Sequence, residues 1–578
     1  MVKKKFIILL CAVFSVFLIY ISFINPVDDP VPLENNSSFN RLSESLFKSM
    51  LPKDQFSIHY YLDSPQSYGI DNIETSVGRF NYNDMQNNNS YYINLLSALK
   101  KIDYSALSTE EKITYDSLVI FFRNELDSSD YLLNYEILTP TTGIQSQLPI
   151  LLNQYTLKNA KDVDDYLTII STIPDFFNDI CSFEEKKAIN GFFMSADNAN
   201  KIISQCKSFA EQEHNFLIDD FPKRLKQAGI KDDNNIEKYV SKNKYAINQY
   251  LVPSYSRLAQ KLTTLSTSFN NSEVSMHICD YINGKNYYSY LARQYTGSTK
   301  SVHQMEKMIK NKLEDDVRVL LKLNDNPIIA EEIQRIDSRK INVEEIVESQ
   351  ITDCRKDFAN PASLNYTIKN VPKSMEKYLS PAFYIVPPID LNEKNIIYVN
   401  QAATNGFIDT YATLAHEGFP GHLYQCTYFS ARNPPLIQHL LDFGGYTEGW
   451  ATYCELYCYK YLFNSRDTAD YMTANASYSL AIHALSDIGV NYHGWSKKHL
   501  LSVLTRYGMS DSVAVNSIYN LVTESPANYL KYYVGYLEIL SLKEKFRQHY
   551  KTRYTDKKFH TFLVECGPAP FCVLEDFI

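Results

Sequence analysis

Two segments of this 578-residue chain carry side chains whose types and spacing suit hydrolytic metal chemistry. The first is His416-Glu417-Gly418-Phe419-Pro420-Gly421-His422, and the second is Tyr446-Thr447-Glu448-Gly449-Trp450-Ala451, with Glu455 following. Two imidazoles and one carboxylate are a common ligand set for zinc when an open position is kept for water, and a second carboxylate beside the ion serves as base. The expected ligands are His416, His422 and Glu448, with Glu417 as the base. The spacing departs from the usual helical arrangement, in which the two histidines stand at i and i+4 on one face. Here they stand at i and i+6, and a regular helix turning about 100° per residue would send the second imidazole to the far side. Gly418, Pro420 and Gly421 lie between them, and these residue types permit or force a break in the helix. A break there would return both imidazoles to one side and keep Glu417 next to the ion.

Two histidines near an acid arise by chance in a chain with 12 histidines, so the downstream segment matters. Glu448 and Glu455 are seven residues apart and share one face of a helix expected over 445–463. Gly445, Gly449 and Ala451 allow close backbone approach around Glu448. Glu455 is the candidate for orienting a ligand imidazole from behind, although a solvated helix carboxylate accounts for it equally well.

These residues need a scaffold, and the composition indicates a helical one. Glycine is scarce, at 18 residues, and tyrosine abundant, at 45. The net charge of −9 and the lack of a basic run beyond the first residues argue against a nucleic-acid partner. Apolar residues recur at three- and four-residue intervals over 43–51, 91–101, 108–125, 162–173, 195–228, 233–266, 302–324 and 329–351. After the second motif the pattern resumes over 470–492, 496–507, 512–522 and 527–550. Between these runs, 382–390 and 395–400 are rich in β-branched and aromatic residues and read as two strands joined by a turn near 392–394. An edge strand just before the metal-binding helix can hold an extended peptide by its backbone. The fold class expected is therefore mostly α, with a small β-sheet beside the metal-binding helix.

The N-terminus pairs Lys3, Lys4 and Lys5 with an uncharged apolar run over 6–24, long enough to span a bilayer. It reads as a membrane anchor over 1–25 with the rest of the chain outside the cytoplasm. A cleaved signal peptide leading to secretion is the alternative. Residues 26–40 read as a tether, and 41–578 as one helical body with halves meeting near 375. Cys454 and Cys458 suit small packing residues, while Cys566 and Cys572 flank a proline-containing turn that a disulfide would fit.

The order of Ser380-Pro381-Ala382-Phe383-Tyr384, Asn400, the two motifs, Asp487-Ile488-Gly489, Gly494-Trp495-Ser496 and Pro526…Tyr532…Gly535 resembles the bacterial family designated domain of unknown function 885. That family is similar to the zinc oligopeptidases of the thimet and carboxypeptidase Taq type. The resemblance implies Zn2+ on His416, His422 and Glu448, Glu417 as base, and helical halves around a channel that admits short peptides. It further implies that Tyr532 donates its hydroxyl to the oxyanion, with Tyr529, Tyr533 and Tyr536 as neighbours. One departure is Asn491, where the family often carries histidine; His483 and His493 lie nearby. The activity expected is a zinc peptidase; an amidase on cell-wall peptides or small amides, or a tethered binding protein with a vestigial zinc site, are the rivals.

Overall fold

Helices form in nearly every stretch where apolar residues recur at helical spacing. In the computed structural model the described residues are 39–269, 277–361, 364–373, 375–376, 379–391 and 395–578. The expected membrane anchor over 1–25, most of the tether and the turn at 392–394 lie outside them. The tether was drawn two residues too long: Phe39 already opens the helix Phe39–Met50, whose Phe39, Leu42, Leu46 and Phe47 are buried. Among the described residues no helix is long and apolar enough to cross a membrane.

The helix Ala160–Ile189 shows how the sequence specifies these elements. Asn159 caps it by accepting from the backbone N–H groups of Lys161 and Asp162, and Val163, Tyr166, Ile170, Ile173, Phe177 and Ile180 line its buried face. Several expected runs are broken by local chemistry. The run at 195–228 divides into Ala196–Glu211, Phe216–Asp219 and Phe221–Gln227, with Asn215 capping the second and Pro222 in the first turn of the third. The run at 329–351 divides into Pro327–Asp337 and Val343–Cys354, where Asn342 accepts from the N–H of Glu345. Ile144–Gln154, Gly284–Thr296 and Asp556–Cys566 are helices that periodicity did not single out.

The small sheet has three strands: β1 (Tyr366–Asn370), β2 (Ala382–Ile385) and β3 (Asn395–Val399), in the order β1-β3-β2. β2 and β3, the expected pair, run antiparallel, with Tyr384 opposite Ile397. β2 stops before Pro387 and Pro388, which lack backbone donors. β1 adds in parallel to the other side of β3, so the strand before the metal-binding helix, expected at an edge, is central and β2 is the edge strand. β1 escaped the sequence reading because none of its five residues is fully buried.

Two long helices form the centre of the C-terminal half: Gly444–Leu462, here the carboxylate helix, and Asn528–Tyr550, the tyrosine helix. They touch backbone to backbone. A Cβ added at Gly449 would lie 2.4 Å from the carbonyl carbon of Gly535, so neither position has room for a side chain. The cysteines of the described residues are all free thiols. The disulfide expected as feasible between Cys566 and Cys572 is therefore not formed; Cys566 ends one helix and Cys572 sits inside the next, Phe571–Asp576. Cys454 and Cys458 are fully buried packing residues, as expected.

Candidate metal centre

The helix carrying the first histidine is Phe407–Glu417, and it stops there. Gly418, Phe419, Pro420 and Gly421 are non-helical, with a cis peptide between Phe419 and Pro420, and His422 opens the next helix, His422–Ser430. A Cβ at Gly421 would fall 1.8 Å from the carbonyl oxygen of His416 and 2.5 Å from that of Ala415. Only glycine can let the chain cross its own preceding turn so closely. The carboxylate helix fastens this break from the other side: Trp450 Nε1 donates to the carbonyl of Pro420 at 3.0 Å, and the Cys454 thiol reaches it at 3.3 Å. Trp450 thus holds the break while Glu448, two residues earlier, points into the site.

With the helix broken, the imidazoles of His416 and His422 stand with ring centres 4.9 Å apart and planes at 82°. Each Nε2 lies 3.5 Å from the same carboxylate oxygen, Oε2 of Glu448. One ligand atom from each of the three residues falls within 4.8 Å of the other two. This converging pair of nitrogens and one oxygen fits a tetrahedral cation with a fourth position left open. The chemistry of the interior fits it too. His416 and Glu448 are 4% and 3% exposed, and Nε2 of His416 makes no well-formed hydrogen bond. Burial works against a charged imidazole at His416, yet Glu448 and Glu455 outweigh it and push its pKa up to about 10. Burial likewise opposes charge on Glu448, but the two imidazoles hold it well below the usual carboxylate range. Protons in this cluster hold the positive charge that a divalent cation would otherwise supply.

The remaining expected residues surround these three. Glu455 Oε2 lies 3.2 Å from Nδ1 of His416, on the ring edge away from the ligand cluster. That contact fixes which imidazole nitrogen faces inward. Glu417 is buried, and its Oε2 accepts from the backbone N–H of Tyr384 in β2 at 3.0 Å. The edge strand beside the site therefore already spends one donor on the candidate base, and the carbonyl of Ala382 accepts from Ser380 Oγ. Tyr532, at the start of the second turn of the tyrosine helix, places its ring 6.4 Å from that of His416. Tyr533 instead bonds Ser477 at 3.0 Å, and Tyr529 packs against His483.

One residue at the site was not singled out from sequence. Lys531 is 4% exposed, and its Nζ lies 3.9 Å from Oε1 of Glu448, the oxygen turned away from the histidines. Its charge also acts on the half-buried Asp442, whose carboxyl burial pushes up to about 6 against the pull of Lys531. A lysine between Leu530 and Tyr532 on a fully buried helix turn was the available signal. Asn491 is not among the residues that converge with His416, His422 and Glu448. It donates to Asp487 and to the carbonyl of Val522, at the wall of a cavity.

That cavity, of about 1710 Å³ with its open mouth included, lies between the first half of the chain, at Leu132 and Ile144, and the second, at Asn491 and Asn528. None of the candidate metal-centre residues lines it, but two of its wall residues lie on or against the helices that carry them. Asn528 opens the tyrosine helix, and the carbonyl of Tyr295, another wall residue, packs against Gly444 at the start of the carboxylate helix.

Comparison with known proteins agrees with this architecture. The chain superposes on the crystal structure of a "putative lipoprotein" from Colwellia psychrerythraea with a TM-score of 0.80 at 16% identity, covering 94% of this chain and 98% of that one. It also matches the structure of a "putative lipoprotein of unknown function" from Shewanella oneidensis, with a TM-score of 0.64 at 14% identity, covering 94% and 100%. A "putative oligoendopeptidase F" from Bacillus anthracis str. Ames aligns over 84% and 91% at 13% identity, but its TM-score of 0.32 carries no argument. No curated protein matches the sequence. The family model described as "Bacterial protein of unknown function (DUF885)" matches residues 66–578, and the chain belongs to that family.

Proposed function

We propose that this chain is a zinc-dependent peptidase. The observation that supports the reading is the convergence of His416, His422 and Glu448 within 4.8 Å, next to a buried Glu417. Zinc held by these three residues would act as a Lewis acid and bring the pKa of water towards neutrality. Glu417, held in place by the Tyr384 N–H, takes the proton from the attacking water and passes it to the leaving amine. Tyr532 offers its phenol to the oxygen on which negative charge develops. Glu455 keeps the His416 ring in one orientation while charge moves at the site. The substrates are short peptides that enter through the cavity. A buried carboxylate next to His416 supports this reading over a purely structural metal site, which needs no base. An amidase would use the same groups.

The test is metal analysis of the purified chain together with cleavage of a mixed peptide library, for the natural sequence and for Glu417→Gln. The expected result is one zinc per chain in both, with cleavage reduced about 100- to 10,000-fold in the variant. A natural chain that takes up no zinc refutes the proposal; zinc without turnover leaves a binding protein.

A further inference from the structure

The wall of the cavity contains a charge arrangement that the chemistry above does not use. Lys187 is fully buried, and two carboxylates share it: Glu136 Oε2 at 2.7 Å and Glu184 Oε1 at 3.7 Å. Glu184 is as buried as the lysine, whereas Glu136 is 31% exposed and lines the cavity. Two carboxylates facing one ammonium leave a net negative charge, at a cost that the burial of Glu184 and Lys187 raises and the partial exposure of Glu136 reduces. Only a proton or a second cation removes that cost. Among the described residues lining the cavity none is Lys, Arg or His, so the wall itself supplies no second cation. The other lining carboxylate, Glu524, is paired from outside the cavity with Lys201 at 2.6 Å.

Tyrosines line the same cavity as Glu136. Tyr131 stacks on Tyr290 with centres 5.4 Å apart and meets Tyr287 at 5.5 Å, and all three line the cavity. Tyr135, Tyr281 and Tyr295 line the cavity as well. Tyrosine faces attract organic cations, and a carboxylate on the same cavity wall fixes one by a charge-assisted hydrogen bond.

We infer that this cavity binds the ammonium group of a peptide at Glu136, so that the substrates are peptides carrying a positive charge on the part that enters the cavity. The inference rests on the peptidase reading for the word substrate, but the binding site does not. The ammonium can come from a lysine side chain or from the free N-terminus, and both present the same chemistry to Glu136.

The test measures binding by calorimetry to the full chain with zinc, carrying Glu417→Gln to stop turnover. Hexapeptides differing only in lysine or norleucine, each with a free or an acetylated N-terminus, separate the two sources. The charged member of at least one pair should bind about tenfold tighter or better. Adding Glu136→Gln should bring that pair to within about twofold, as expected once the charge-assisted bond is gone. Equal binding of charged and neutral peptides overturns the inference, and this comparison needs no cavity variant to fold. Cleavage by the Glu417-intact chain is followed in parallel. Discrimination without cleavage leaves the ammonium site standing and removes the peptidase reading, whereas cleavage without discrimination does the reverse.

Discussion

Gly421→Ala puts the interrupted helix to a direct test. The added Cβ would stand 1.8 Å from the His416 carbonyl oxygen and 2.5 Å from that of Ala415, both backbone atoms that cannot swing aside. Reaching an ordinary contact demands a shift of more than an ångström between the turn that carries His416 and the residue just before His422. Misplacement on that scale costs about 100-fold in a catalytic constellation. We expect kcat/KM to fall by about 100-fold or more and zinc affinity to fall with it, since one ligand leaves the cluster. Overpacking of this kind destabilises by about 1–3 kcal/mol, so the variant should still fold. Gly418→Ala is the internal control: its Cβ would lie 2.7 Å from the Leu414 carbonyl, a milder clash, and it should lose less. Zinc titration, peptide cleavage and far-UV circular dichroism on the three proteins give the ranking. A folded Gly421→Ala that keeps zinc affinity and rate would refute the reasoning, because a continuous or otherwise accommodated backbone would then serve equally well.

Glu455→Ala removes the partner of His416 Nδ1, and zinc affinity should drop about 10- to 100-fold with folding intact, as read from competition with a chelator. Lys531→Met takes a buried positive charge away from Glu448 and Asp442 and should destabilise the metal-free chain by about 3–5 kcal/mol. Zinc would replace part of that charge, so the stability gap to the natural protein should narrow when zinc is added; a gap that widens contradicts the site geometry. Burial pushes the carboxyl of Asp487 up to about 7, although it accepts hydrogen bonds from Tyr288 and the Ala527 N–H. The folded chain thus keeps its proton up to about pH 7, while the unfolded chain releases it near 3.8. The stability this provides is complete below 3.8 and is lost as pH rises through 7. Relative to the natural protein, Asp487→Asn should therefore gain stability between pH 5 and 8 in urea unfolding; a constant difference across that range would show that Asp487 does not titrate there.

The sequence by itself determined the helical class, the strand pair before the first motif and the interruption between the two histidines. Each is local: amphipathic spacing, β-branched runs, and glycines and proline at positions that a continuous helix cannot use. Glu448 and Glu455 were legible because both sit on one face of one helix. Tertiary structure alone decided how the break is held, since the Pro420 carbonyl meets Trp450 and Cys454 across 30 and 34 residues of chain. It also decided that a strand N–H anchors Glu417, that Lys531 faces the far oxygen of Glu448, and that Glu136 and Glu184 share Lys187 at the wall of a tyrosine-lined cavity. Spacing along the chain says which side of its own element a residue occupies, but not which other element lies opposite. A buried charge acquires its surroundings from that opposing surface, so the candidate ligands were readable in sequence and the groups that hold and balance them were not.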